Sequence, residues 1–338
     1  MRNENAEIRN RKSLRYILLS IPAYIVQLPQ LIYLYFLHIF GYGIPFFIVA
    51  LRRPRTPKGP ELDLSKFRLT WSDEFEGDKL DLTKWSNFNE RWWDNTPGST
   101  NERAQKRHDG WSSLDMARVE DGKLHISTVN SGEGMAGGPP GAYAAAINTR
   151  FTFRQKYGYF EARCKLPKGQ GLWSAFWLHN ENVSMEVDGT GRPGTEIDVM
   201  ESPFWRSGNP RRRNSVPSSL HYGSYNMYHM MKNVCRSYVE NPYDIFHTYG
   251  VEWNESVYID GVETGRSRAG GVSQNEQFMI LSVEHHAGGI KSLFWAGDVR
   301  KNKPEEMADF EVDYVRAYQY ALPGAAASPP SQARRTGD

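Results

Sequence analysis

Cysteine is scarce: Cys164 and Cys235 are the only two in 338 residues, too few for a disulfide-stapled scaffold. They read either as one bridge compatible with export or as two free buried thiols, and neither has the neighbouring histidine of an activated nucleophile. The nine histidines form no H-E-x-x-H or comparable spacing, so no catalytic metal or other cofactor is expected. A net charge of +2 excludes a polyanion such as nucleic acid as the main partner. No internal repeat is visible. The most informative absence is local: no Asp, Glu, Lys or Arg occurs from Tyr16 through Leu51, a run of 36 residues that follows the basic Arg2, Arg9, Arg11, Lys12 and Arg15.

A membrane span needs about 20 apolar residues, so this run is too long for one upright helix and short for two plus a turn. Pro22, Pro29 and Pro45, with Gly41 and Gly43, are expected to kink or interrupt it. A cleaved signal peptide has an apolar core of about 7 to 15 residues and a small-residue cleavage site, so an uncleaved anchor fits better. Arg52, Arg53, Arg55 and Lys58 make the far end almost as basic as the near end. Charge therefore gives no orientation, and one tilted span or a hairpin both remain open. The resulting organisation is a basic tail (1–15), a membrane anchor (16–51), a linker with Pro54, Pro57, Gly59 and Pro60 (52–66), a folded domain (67–320), and a disordered tail rich in Ala, Pro, Ser and Arg (321–338). Within 67–320, short alternating or aromatic runs are separated by turn signals such as Glu120-Asp121-Gly122 and Ile259-Asp260-Gly261, the pattern of an all-β sandwich.

Chemistry concentrates in Gly194-Thr195-Glu196-Ile197-Asp198-Val199-Met200-Glu201-Ser202. On a strand, Glu196 and Asp198 share one face while Ile197 and Val199 point into a core. Glu201 falls on the wrong face unless one extra residue, a β-bulge near Met200, restores it. With the bulge, the two Glu Cα atoms lie roughly 13 Å apart. Side chains leaning together would leave about 5 to 6 Å between carboxyl groups, the separation that a retaining glycosidase needs. Three carboxylates this close cannot all ionise cheaply, so at least one pKa should be raised. The same alternation also suits a half-solvated strand with acids outward, and the surrounding blocks decide between the two.

The E-I-D-V-M-E stretch resembles the bulged E-x-D-x-x-E signature of glycoside hydrolase family 16. Further blocks are similar and in the family's order. They are Trp71-Ser72-Asp73-Glu74-Phe75 with Lys84-Trp85, Ala117 to Leu124, Tyr157 to Arg163, Leu166 to Leu178, His247-Thr248-Tyr249 with Glu252-Trp253, and Val312-Asp313-Tyr314-Val315-Arg316. The resemblance implies a concanavalin A-like β-jelly roll of two antiparallel sheets, the concave one forming an open cleft. It also implies a monomeric, retaining, endo-acting β-glycanase with Glu196 as nucleophile, Glu201 as acid/base and Asp198 between them. The substrate implied is a β-1,3- or mixed β-1,3/1,4-glucan. Alternatives are a hydrolase or transglycosylase of an anionic exopolysaccharide or galactan, and a carbohydrate-binding protein without turnover. An extracytoplasmic catalytic domain follows from the resemblance, since such polymers are usually extracellular.

Sugar rings offer C–H faces to aromatic side chains. The candidates for substrate binding are Trp92, Trp93, Trp173, Trp177 and Trp205, with His221 matching a family position in the cleft. Many relatives carry a structural calcium, for which Glu74, Gly122 and Asp313 stand near the matching blocks. Two features depart from the family's usual pattern. Trp205, Arg206, Arg211, Arg212 and Arg213 follow Glu201 closely, either as a solvated basic loop or as ligands of an anionic glycan, and Glu284-His285-His286 replaces small aliphatic residues.

Overall fold

The computed structural model describes residues 28–30, 32–87, 104–186, 188–226, 228–253 and 256–321. Trp92 and Trp93, the tail 1–15 and residues 322–338 lie outside them. The folded region is two packed antiparallel sheets with a smaller third one, so the predicted sandwich is what forms. The seven-stranded sheet runs in the order Met230–Tyr238, Ser215–Tyr222, Glu196–Glu201, Leu172–His179, Phe278–His285, Ala146–Asn148 and Ser86–Asn87. The facing sheet centres on Tyr159–Lys165 between His247–Glu252 and the long strand Phe310–Tyr320.

Alternation explains how the first sheet is buried on both faces. Along Leu172–His179, Phe176 and Leu178 join Ile197, Val199, Leu281 and Val283 in the core between the sheets. Ala175 and Trp177 point the other way and cluster with Ala146, Phe278 and Ile280 on the concave side. Burying each large core side chain contributes about 1.5–3 kcal/mol, which fixes the register because a slip of one residue would exchange the two faces. The turn signals act as read: Asp121 and Gly122, and Asp260 and Gly261, all take positive φ in two-residue hairpins. Cys164 and Cys235 are both buried and unbridged.

The apolar run forms a helix, Leu28–Leu51, long and apolar enough to cross a membrane by length and composition. Pro45 cannot donate to the carbonyl of Gly41 and its ring crowds that turn. The backbone responds with a π-helical turn, Ile39–Gly43, before the α-helix resumes over Ile44–Leu51. Pro45, Gly41 and Gly43 therefore perturb the helix without ending it, and Pro22 lies outside the described residues. Residues 52–66 are held more firmly than a linker would be. Arg55 exchanges backbone hydrogen bonds with the strand Met230–Tyr238 (Arg55 N to Arg236 O, 2.9 Å; Tyr238 N to Arg55 O, 2.8 Å), and Gly59 N donates to Glu263 O at 3.0 Å.

Candidate active site

Pairing of Glu196–Glu201 with Leu172–His179 carries the irregularity that the sequence demands. His179 faces Glu196 and Trp177 faces Asp198, but Phe176 faces Met200 and Ala175 faces Glu201, so Val199 is the extra residue. The bulge brings Glu201 to the side of Glu196 and Asp198 while Ile197 and Val199 stay in the core. Ser218 Oγ, on the next strand, donates to the Val199 carbonyl at 2.7 Å, satisfying a group that a regular ladder would have paired.

All three carboxylates line a cleft of about 340 Å3. Ser219 Oγ donates to Asp198 Oδ2 at 2.7 Å, and His221 Nε2 lies 3.2 Å from the same oxygen and 3.9 Å from Glu196 Oε1. His221 Nδ1 is 2.8 Å from His229 Nε2. The Tyr225 hydroxyl donates to Glu196 Oε2 and lies 2.9 Å from His179 Nε2. Burial, then the charge of Asp198, pushes the Glu196 carboxyl up to about 7, with His221 and Tyr225 pulling the other way. Glu201 is driven well above the usual carboxylate range by burial and by the charges of Asp198 and Glu196. Burial disfavours charge on His221, but the hydrogen bond and charge of Asp198 outweigh it and raise its pKa. The result is a graded set, with Glu201 the group that most strongly retains its proton.

Trp173 and Trp177 both line this cleft, and the Trp177 indole N–H donates to Ser282 Oγ at 3.2 Å. Trp205 does not reach it. Its ring packs on Tyr243, 4.9 Å between centroids, under the Arg213 guanidinium, so the proposed sugar contact at Trp205 is corrected to a packing role. The basic loop is likewise turned to packing: Arg206 and Arg212 donate to the Leu293 and Phe294 carbonyls, and Arg212 also covers Phe204. Glu284, flagged as unusual in sequence, lies on the cleft floor, where Arg107 Nε donates to it at 2.6 Å. Burial alone would raise its pKa, but Arg107 and His108 prevail and it is lowered. Sequence reasoning missed Arg107, Tyr225 and His229, which come from a loop and a strand that carry no motif, and His179, which lies one residue past the matched Leu166 to Leu178 block.

Glu74, Gly122 and Asp313 do not fit a calcium ion. Glu74 takes both arms of Arg316 at 2.9 and 2.8 Å, Asp313 accepts from Arg163 at 2.6 Å, and Gly122 is a hairpin residue with φ of 69°. Calcium needs oxygen ligands with charge to spare, and here the arginines already neutralise it. Among the described residues, Glu196, Asp198 and His221 alone bring three ligand atoms together, within 4.8 Å of one another. Those groups are already hydrogen-bonded to Tyr225, Ser219 and His229, the arrangement of a proton network.

A β-sandwich whose concave sheet carries three carboxylates on one bulged strand, beneath an aromatic-lined cleft, defines a narrow class of jelly-roll proteins. A family model described as beta-porphyranase A-D, GH16 domain, matches residues 68–320. The chain belongs to glycoside hydrolase family 16. It is 28% identical over 289 residues to glucan endo-1,3-beta-glucosidase A1 of Niallia circulans, covering 78% of this chain and 39% of that one. It is also 28% identical over 275 residues to endo-1,3-1,4-beta-glycanase ExsH of Rhizobium meliloti, covering 76% and 53%. The chain thus spans about half the length of these relatives or less. A crystal structure of a variant of SCLam, a non-specific endo-beta-1,3(4)-glucanase with a 1,3-beta-D-cellobiosyl-glucose at its active site, shares 26% identity at a TM-score of 0.59, covering 78% of this chain and all of that one.

Proposed function

We propose that the protein is a retaining endo-β-glycanase acting on a β-1,3- or mixed β-1,3/1,4-glucan. The observation that carries the reading is the bulge at Val199, which gives Glu196, Asp198 and Glu201 one face and one cleft. In the first step a Glu196 oxygen bonds to the anomeric carbon as the glycosidic C–O bond breaks, and Glu201 transfers its proton to the departing oxygen. In the second, Glu201 takes a proton from water while that water's oxygen displaces Glu196, restoring both groups. Asp198, held by Ser219 and His221, lies beside Glu201, and its charge favours the protonated form of Glu201. Tyr225 orients Glu196 by donating to the oxygen that does not attack. A sugar hydroxyl in place of water in the second step would give transglycosylation by the same residues.

Trp173 and Trp177 line the cleft as sugar platforms, and the glucanase names of the relatives favour a neutral glucan. A second reading, a charged galactan, draws on the porphyranase description of the family model and on Arg107 in the cleft, although Arg107 is already engaged by Glu284. The apolar helix supports a membrane-anchored enzyme, and the usually extracellular polymers on which the family acts favour a sandwich outside the cytoplasm. The test is release of reducing ends by the full chain from laminarin, lichenan, agarose, porphyran and an acidic exopolysaccharide. Release from laminarin or lichenan, reduced at least about 10³-fold by Glu196→Gln, is expected. Retention on a glycan without release would overturn hydrolysis in favour of binding, and release from porphyran alone would select the second reading.

A further inference from the structure

Tyr42 and Phe46, four residues apart on one helix face, both line the cleft that holds the three carboxylates. Tyr42 stacks on His229 with ring centroids 4.2 Å apart and planes 18° apart, and its ring lies 6.1 Å from that of His221. Phe46 meets Trp295 at 5.2 Å. The helix lies close against the strand here: a Cβ at Gly41 would meet the flexible end of the Met230 side chain. One turn further, Val49 and Ala50 are fully buried with Phe204, Met231 and Trp295. Arg236 Nη1 then donates to the carbonyls of Val49, Ala50 and Arg52 at 3.2, 3.1 and 2.8 Å. The side chain of His38 also reaches His229, with centroids 6.5 Å apart; Phe40, Ile44, Phe47, Ile48 and Leu51 are exposed on the outer face of this docked part, and upstream of it Ile32, Tyr33, Tyr35 and Phe36 are exposed too.

The length of the charge-free run now has an explanation. Residues 16 to 37 suffice for one bilayer crossing of about 20 residues, and what remains is the part docked on the sandwich. We propose that the run is divided between two tasks: residues 16–37 supply the membrane span, and residues 38–51 form a wall of the active-site cleft. In that wall Tyr42 and Phe46 make a pyranose-binding subsite, and Tyr42 also acts as a positioning residue for the His229–His221 pair. The subsite rests on the glycanase reading above; the division of the run does not. The chemistry suits a sugar unit, whose C–H face matches an aromatic surface while the histidines and carboxylates beside it meet hydroxyls.

Two measurements on the full chain separate the claims. In detergent, with the polymer that the parent cleaves, Phe46→Ala is expected to raise KM about tenfold with kcat within about twofold. Tyr42→Ala is expected to lower kcat about tenfold and move the acid limb of the pH profile, and Tyr42→Phe, which keeps the stacked ring, to restore both. Parent-like kinetics for both alanine variants would overturn the subsite. If the parent binds glycans without cleaving them, the glycanase reading fails by itself, and undiminished retention of Phe46→Ala on that glycan overturns the subsite. In membranes, Ile32→Lys is expected to reduce the carbonate-resistant fraction severalfold, while Ile48→Lys, at an exposed position of the docked part, leaves it unchanged. An equal loss for both variants, or no loss for either, would overturn the division.

Discussion

Glu196 must be ionised to attack, yet burial and the charge of Asp198 both favour its protonated form, and its pKa stands at about 7. Activity should therefore rise with pH through that value and fall where Glu201, itself raised well above the usual carboxylate range, loses its proton. Tyr225 donates to Glu196 and so lowers its pKa against the two larger effects. Tyr225→Phe is accordingly expected to shift the acid limb of kcat/KM upward by about one to two pH units, since a hydrogen bond to a charged group is worth roughly 1.5–3 kcal/mol. An unmoved limb would mean that another group controls it. Stability follows the same shifts with a definite sign. A carboxyl whose folded pKa is raised stabilises the fold below its unfolded pKa and loses that contribution as pH climbs through the folded value. At neutral pH, Glu201→Gln should therefore raise stability by about 1–3 kcal/mol in urea unfolding while abolishing turnover, and equal or lower stability would contradict the burial of this acid. The three carboxylates were legible in sequence because alternation puts Glu196 and Asp198 on one face, a single bulge adds Glu201, and the family-like blocks around them mark the strand as a site. Tyr225 and Arg107 were not, because nothing local marks a side chain that reaches the site from a loop or from another strand.

At the level of the strand, the need for an extra residue between Glu196 and Glu201 was arithmetic, but its position was not. It falls on Val199 because Ser218, from the neighbouring strand, captures the carbonyl that the bulge frees, and the pairing of that strand also shifts between Ser218 and Ser219. Two irregularities side by side are a tertiary agreement that a hexapeptide cannot announce. Ser218→Ala leaves the Val199 carbonyl buried without this donor. The expected outcome is a loss of about 1–3 kcal/mol in urea unfolding together with reduced kcat, because Glu201 is the residue that the bulge aims. Unchanged values for both would mean that the bulge holds without Ser218. The hairpins at Asp121-Gly122 and Asp260-Gly261 show the opposite case: two consecutive positive-φ residues are a local requirement, and the sequence states it openly.

Across the whole molecule, the sandwich was readable from its turn-punctuated alternation, whereas the fate of the apolar run was only half readable. An apolar face turned toward lipid and one turned toward protein have the same composition, so Tyr42, Phe46, Val49 and Ala50 looked like anchor. Arg236 marks the difference. Its guanidinium is mostly buried, lies 4.0 Å from the Phe204 ring centroid, and spends one nitrogen on three carbonyls at the helix end, while Nε donates to Ser215 Oγ at 2.9 Å. Burial lowers its pKa to about 10, so it remains charged at neutral pH and needs those acceptors. A chain beginning at residue 52 would remove the Val49 and Ala50 carbonyls and uncover Met231 and Trp295. Breaking a buried charged contact costs about 3–5 kcal/mol, which for a domain of this size corresponds to a fall of roughly 10 °C in Tm. Thermal unfolding of the two forms in the same detergent checks this. A matching Tm would mean that the sandwich is complete without the helix, and a lowered one that the segment which reads as an anchor is a structural part of the catalytic domain.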